Sequence, residues 1–168
     1  RMIDRNDVVV TTPVRGRDQA NLENVVGPFT NTLFLRVQWD PNDSFRDVIR
    51  KVKAISLEAM GHQACPVDDF LRAIPGELKD SSLFQLNFSY QNTGDRLTHW
   101  GDLEVEQVPQ GFHATHSELN FWVRDAGENL SGAIDYRTDL YDAERIKKLI
   151  GWLLRLLTDA VASPDQPI

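Results

Sequence analysis

The chain has a single cysteine, Cys65, in 168 residues. No internal disulfide can staple it, and it fits a reducing compartment. Long apolar runs are missing too: nothing approaches the roughly 18–20 residues that span a bilayer. The opening "RMIDRND" lacks the apolar core of a secretory signal. Basic residues are the minority, 18 Lys and Arg against 25 Asp and Glu, a net charge of −7. That balance argues against a non-specific nucleic-acid surface, which needs a basic face. There is no Walker loop, GxGxxG, CxxC pair or nucleophile elbow, so the common phosphate-cradling and serine-hydrolase chemistries have no motif to rest on. An acidic globule remains, expected in the cytoplasm, with neither nucleic acid nor membrane as partner.

The hydrophobic fraction is 41% and the charged fraction 26%, those of an ordinary globular domain. At this length one domain is expected, able to bury roughly two-thirds of its unfolded surface. "DVVVTTPV" reads as a buried strand over Val8–Thr12, leaving through Pro13 into a polar Arg15–Asp18 loop. Starting on a buried strand implies partner strands upstream. "NTLFLRVQW" is a second strand. From Ser44 the period lengthens: Phe45, Val48, Ile49, Val52, Ile55 and Met60 share a helical face, with Ser44 as N-cap, Asp47 in the first turn and Gly61 at the end. A short helix follows Pro66 and closes at Pro75-Gly76. Four strands come next, "LFQLNFSYQN", "LEVEQV", "ELNFWVRD" and "LSGAIDYRT", the last two joined by a tight turn at Gly127. The final helix opens at Asp142, carries Ile146, Leu149, Ile150, Leu153, Leu156, Leu157 and Val161 on one face, and stops before Pro164. The order β–β–α–α–β–β–β–β–α predicts an α/β (α+β) architecture, a mixed sheet with helices packed on it.

Three places carry possible chemistry. His113 and His116, three apart in "HATH", could share a helical face as metal ligands, but no third ligand stands at a telling spacing, so a polar loop and no metal are expected. Cys65 has no companion His–acid arrangement and reads as a small buried residue. Asn31 is harder to place. On a strand Phe29, Asn31, Leu33 and Leu35 fall on one face, so an amide joins an apolar row. Left unpaired there it would cost about 1–3 kcal/mol. Either a neighbouring loop or a polar ligand in a channel must hydrogen-bond it.

"VGPFTNTLFLR", residues 26–36, resembles the IGxFVNTxxxR motif of nonribosomal peptide synthetase condensation domains. "HQACPVDDFL", residues 62–71, is similar to that family's HQDxPFExLV segment. "LKDSSLFQLNFSYQN", residues 78–92, resembles its RDxSRxPLFQVMFxxQN run. "LSGAIDYRTDLYDAERI", residues 130–146, is similar to the glycine-led strand before YNTDLFD, and "VVVTTPVRGRD" to VVGTPVAGRD. These segments occur in the family's order and cover essentially the whole chain. Asn31 with His62-Gln63 and Pro66 is similar to amide-forming members; heterocyclisation and epimerisation relatives differ there. Ala64-Cys65, Val67-Asp68, Leu78 and Glu118 depart from the family's usual residues and carry no substrate assignment.

The resemblance implies one lobe of the two-lobed chloramphenicol-acetyltransferase-like fold. The family's HHxxxDG signature belongs to its N-terminal lobe and does not occur here, so residues 1–168 resemble the C-terminal lobe and no catalytic residue is expected within them. In the family an acceptor amine attacks a donor acyl thioester in a tunnel between the lobes, a histidine of the missing signature orienting the amine or taking its proton. Both substrates arrive on phosphopantetheine arms; no cofactor is expected on this lobe. The implied partners are the N-terminal lobe, donor and acceptor peptidyl carrier proteins, and an adjacent adenylation domain. Asn31, Gly27, Phe29 and Thr32, with Gln85 on the next motif strand, are the implied tunnel residues. Arg17, Arg36, His62, Gln63, Pro66, Phe84, Tyr136 and Asp139 are implied as motif or structural residues, the two arginines in ion pairs or orienting loops. A non-catalytic module recruiting a carrier or tailoring enzyme would have the same lobe, and a free-standing acyltransferase would need the same missing half.

Overall fold

The computed structural model describes residues 6–17, 19–76, 81–91, 99–106, 115, 117–125 and 129–167. Strand β1 (Asp7–Val14) runs antiparallel to β2 (Asn31–Gln38), paired from Asp7 with Gln38 to Val14 with Asn31. Helices α1 (Phe45–Gly61) and α2 (Val67–Ala73) follow, then β3 (Leu86–Gln91). β3 lies parallel to β1, Thr11 opposite Asn87, and parallel to β6 (Leu119–Asp125) on its other side. β7 (Leu130–Tyr136) closes the sheet antiparallel to β6, and α3 (Ala143–Ala162) ends the chain's regular structure. The sheet order is β2-β1-β3-β6-β7. This is the mixed α/β arrangement that the element order predicts.

Residues paired across strands share a face. Val8, Val10, Leu33, Leu35, Val37, Leu86, Phe88, Phe121 and Ile134 thus line one side with Asn31, and Thr11, Phe34, Asn87, Ser89 and Trp122 the other. α1 packs against β2. Leu33 and Val37 are buried on the first face, Thr11 and Ser89 on the second. Buried Thr11 has two acceptors for its one hydroxyl proton, the Leu86 carbonyl at 3.1 Å and Asn87 Oδ1 at 3.2 Å.

Both long helices start where their caps predict. Ser44 accepts from the Asp47 amide while Asp47 accepts from the Ser44 amide, a reciprocal capping box. Asp142 accepts from the Arg145 amide at 2.7 Å. The tail beyond α3 returns to α1: the Arg46 amide donates to the Pro164 carbonyl and the Arg46 guanidinium pairs with Asp165 at 2.6 Å.

Several expectations need correction. The described part of "LEVEQV", residues 103–106, adds no strand to the main sheet: β5 (Leu103–Glu104) pairs with β4 (His99–Trp100) in a separate ribbon around Gly101, and residues 107 and 108 lie outside the described residues. With Trp100 and Leu103 both exposed, that alternation has no second layer to pack on. The third strand begins at Leu86 and not earlier, because Ser81–Phe84 coils as a 3-10 turn. Of the apolar stripe on α3 only Ile146 is buried, joined by Ala160; Ile150, Leu156, Leu157 and Val161 are exposed. On α1, Ile49 and Met60 are likewise exposed. Gly127, His113 and His116 lie outside the described residues.

The total accessible surface is 13403 Å² for 19.1 kDa. A compact monomer of that mass has about 8400 Å² by the usual scaling. The described elements alone leave their helices' apolar faces open to whatever stands beside them. No helix among the described residues is long and apolar enough to cross a membrane.

Candidate functional site

Of the implied site residues, Gly27, Phe29, Asn31 and Thr32 lie where the β1–β2 loop meets the α1–α2 corner. The loop departs through Gly16, whose φ is +62°; a Cβ there would stand 1.9 Å from the Phe29 carbonyl oxygen. Only glycine satisfies both constraints. The next residue, Arg17, reaches back across the loop it begins. Its guanidinium donates to the carbonyls of Leu22, of Val25 at 2.7 Å and of Gly27 at 3.1 Å. It also lies 4.3 Å from the centroid of the Phe29 ring, a cation–π contact. Arg17 therefore orients the loop. Phe29 sits in that loop and not on β2, which begins at Asn31.

Asn31 is half-buried, and both protons of its amide nitrogen are engaged. Nδ2 donates to the Gln63 carbonyl at 2.8 Å and to the Cys65 carbonyl at 2.7 Å. Oδ1 accepts from the Thr32 amide at 2.9 Å. The loop alternative is the one occupied. The acceptors belong to the corner in which His62 caps α1 and Pro66 caps α2. Three residues along β2, Phe34 stacks on Phe70 of α2 at 4.6 Å and meets Phe84 edge-on at 5.4 Å. Motif segments 26–36 and 62–71, and Phe84 of the third, thus converge on one strand.

Cys65 is exposed, correcting its reading as a buried small residue. Its carbonyl is turned toward Asn31, and the thiol faces out. Gln85 also departs from expectation. It precedes β3, its side chain is exposed, and its carbonyl accepts from the Leu119 amide at 3.0 Å. In the sheet register it stands level with Arg36, about 16 Å along the strands from Asn31. Arg36 holds Asp7 in a bidentate pair, 2.6 Å at the shortest, and the guanidinium draws that carboxyl below the ordinary Asp range. Tyr136 and Asp139 belong to the far edge, four strand spacings or about 19 Å from β2. Asp139 pairs there with Arg137.

One pair escaped sequence reasoning. Tyr90 donates to Asp125 Oδ2 at 2.6 Å, and the carboxylate pushes the phenol above its usual range. It occupies the same sheet face as Asn31, at the carboxyl ends of β3 and β6. Tyr90 reads as one more apolar position in an alternating strand, and an acid 35 residues away carries no local signal. Among the described residues no three His, Cys, Asp or Glu converge as a metal site.

A central mixed sheet with parallel β1, β3 and β6 has counterparts among known proteins. The family model described as "Condensation domain" matches residues 1–168. The chain belongs to the condensation-domain family. Surfactin synthase subunit 1 of Bacillus subtilis (strain 168) is 31% identical over 166 residues, spanning 98% of this chain and 5% of the relative. A holo four-domain nonribosomal peptide synthetase bound to AMP and glycine superposes with a TM-score of 0.83 at 23% identity, over 96% of this chain and 14% of that one. The first condensation domain of the CDA synthetase gives 0.75 at 22%, over 97% and 36%. Those solved structures establish the chloramphenicol-acetyltransferase-like fold. The chain spans a small fraction of each of these relatives.

Proposed function

We propose that this chain is the C-terminal lobe of an amide-forming condensation domain in a nonribosomal peptide synthetase. The observation that carries the reading is the family match over all 168 residues. The convergence of two motif segments, and of Phe84 from a third, on β2 supports it. The lobe supplies one wall of a tunnel, built from Gly27, Phe29, Asn31 and Thr32, while Gln85 is a more distant contributor at the other end of the strands. The donor acyl group and the acceptor amine arrive as thioesters on phosphopantetheine arms of two carrier proteins. The amine attacks the donor carbonyl, the carbon–sulfur bond breaks, and the lengthened acyl group stays on the acceptor arm. The catalytic histidine comes from the N-terminal lobe, and an adenylation domain loads the acceptor carrier.

The exposed apolar faces of α3 and of the Trp100–Leu103 ribbon fit this reading, since a lobe leaves to its neighbours what a whole domain buries. The test is single-turnover amide formation between acyl-loaded donor and aminoacyl-loaded acceptor carriers. The full domain containing this lobe should form the amide, and residues 1–168 alone should not exceed background aminolysis. Product from the isolated chain, or none from a folded full domain over a panel of loaded carriers, refutes the assignment.

A further inference from the structure

Asn31 has no donor left to offer a ligand. A carboxamide nitrogen carries two protons, and here one goes to the Gln63 carbonyl and the other to the Cys65 carbonyl. The side-chain oxygen accepts from the Thr32 amide and keeps one lone pair, so a ligand would meet Asn31 only as an acceptor. The corner needs these bonds from outside itself. Its own amides turn inward, Gln63 to the Met60 carbonyl at 3.2 Å and Cys65 to the His62 carbonyl at 3.0 Å. Neither amide reaches the carbonyls of Gln63 and Cys65. The residues between and beside them, Ala64 and Cys65, are exposed.

The same strand also holds the helix beyond the corner. Pro66 caps α2 without a side-chain bond, so the direction of that seven-residue helix depends on the corner before it and on Phe70 against Phe34. β2 thus grips the corner at two points, by Asn31 on one sheet face and by Phe34 on the other.

We infer that Asn31 is a positioning residue: it serves condensation by strapping the Gln63–Cys65 corner to the start of β2, and it does not touch the acyl or amino group. The inference rests on the function proposed above and names how its central motif residue acts. It also explains why an amide is required. Aspartate keeps the acceptor for Thr32 but turns carboxylate oxygens toward two carbonyls, and alanine removes both bonds. Glutamine retains both donors on a longer arm and is the rescue variant.

The experiment compares Asn31→Ala, Asn31→Asp, Asn31→Gln, Pro66→Gly and the Asn31→Ala/Pro66→Gly double variant in the full condensation domain. Hydrogen exchange of peptides covering residues 61–74 and single-turnover rates at saturating carriers are measured on the same samples. Asn31→Ala and Asn31→Asp should lose protection in 61–74, with the β1–β3–β6 peptides unchanged, and slow amide formation about tenfold. Asn31→Gln should recover part of both. Pro66→Gly loosens the corner without touching the amide, so its kinetic defect should overlap that of Asn31→Ala, the double variant being no slower than the worse single one. Rate loss with unchanged exchange, or multiplicative defects showing that Asn31 acts independently of the corner, would overturn the inference. Lost protection with an unchanged rate would overturn it in favour of a purely structural strap. If the wild-type domain forms no amide, the functional reading fails, while the exchange arm still decides whether Asn31 holds the corner.

Discussion

Replacing Gly16 by alanine is the sharpest perturbation of the loop that carries the site. Two costs combine. An L-residue held at φ +62° costs about 1–2 kcal/mol relative to glycine. The new methyl would also stand 1.9 Å from the Phe29 carbonyl oxygen and 3.0 Å from its carbon. Backbone cannot yield there as a side-chain tip would; Phe29 has to shift by more than 1 Å to restore ordinary contact. That movement takes the Phe29 ring from beneath Arg17, forfeiting a cation–π contact of about 0.5–1 kcal/mol. It also strains the hydrogen bond from Arg17 to Gly27, worth about 1 kcal/mol. The sum is about 2.5–4 kcal/mol, or roughly 5–16 °C of melting temperature for a folding unit of 150–250 residues and less for a larger one. Gly151→Ala is the internal control. It sits inside α3, where an added methyl would meet nothing within 4 Å, and should stabilise by about 1 kcal/mol. Differential scanning calorimetry on the full domain reads both. A Gly16→Ala loss below about 1 kcal/mol would show that the loop relaxes freely and that Arg17 does not fix it.

Charge and surface set two further outcomes. Asp7, Asp43, Asp47, Asp139 and Asp165 all have carboxyls drawn below the ordinary Asp value, chiefly by hydrogen bonds from Arg36, Lys51, Ser44, Arg137 and Arg46 respectively. A depressed folded value contributes stability that is present above the unfolded value of about 3.9 and is lost as pH falls through the folded one. The melting temperature should therefore hold above about pH 5 and decline below about pH 4, and a rise on acidification from about 5 to about 3 would contradict these pairings. The isolated chain, with Trp152, Leu154, Leu156, Leu157 and Val161 all exposed on α3, should self-associate as its concentration is raised. Light scattering coupled to size exclusion checks this, and a strict monomer that also fails to bind a separately expressed N-terminal lobe would refute it.

What could be read from sequence was local. The N-caps Ser44 and Asp142 and the presence of strands at β1, β2, β3 and β6 are set by residues within a few positions of one another; the caps stand where expected, while the strand ends at Val14, Asn31 and Leu86 differ from the periodicity. The sheet order was not legible, because it depends on parallel pairings such as Thr11 with Asn87, 76 residues apart. The "LEVEQV" alternation misled for a related reason: period two marks an extended chain but not a second layer, and Trp100 and Leu103 have none. Cys65 was misjudged on residue type alone. Cysteine prefers interiors, but a corner whose carbonyl points at Asn31 turns this thiol outward.

For the site, chemistry posed the right question about Asn31 without supplying the partners. An amide on an apolar row must be paired, yet the carbonyls that pair it lie 32 and 34 residues away. The two hydrogen bonds tie together two segments that the resemblance treats as separate motifs. An asparagine at the head of β2 has no satisfied place without the corner between α1 and α2, and the corner's outward carbonyls take their donor from the asparagine. The same reasoning separates Gln85 from them. Its side chain is exposed and its register stands at the Arg36 end of the sheet, just after the 3-10 turn before β3, so it lies far along the strands from Asn31. Adjacency of motifs along the chain and adjacency around the site are thus different properties here, and it is β2, gripping the corner at Asn31 and Phe34, that converts one into the other.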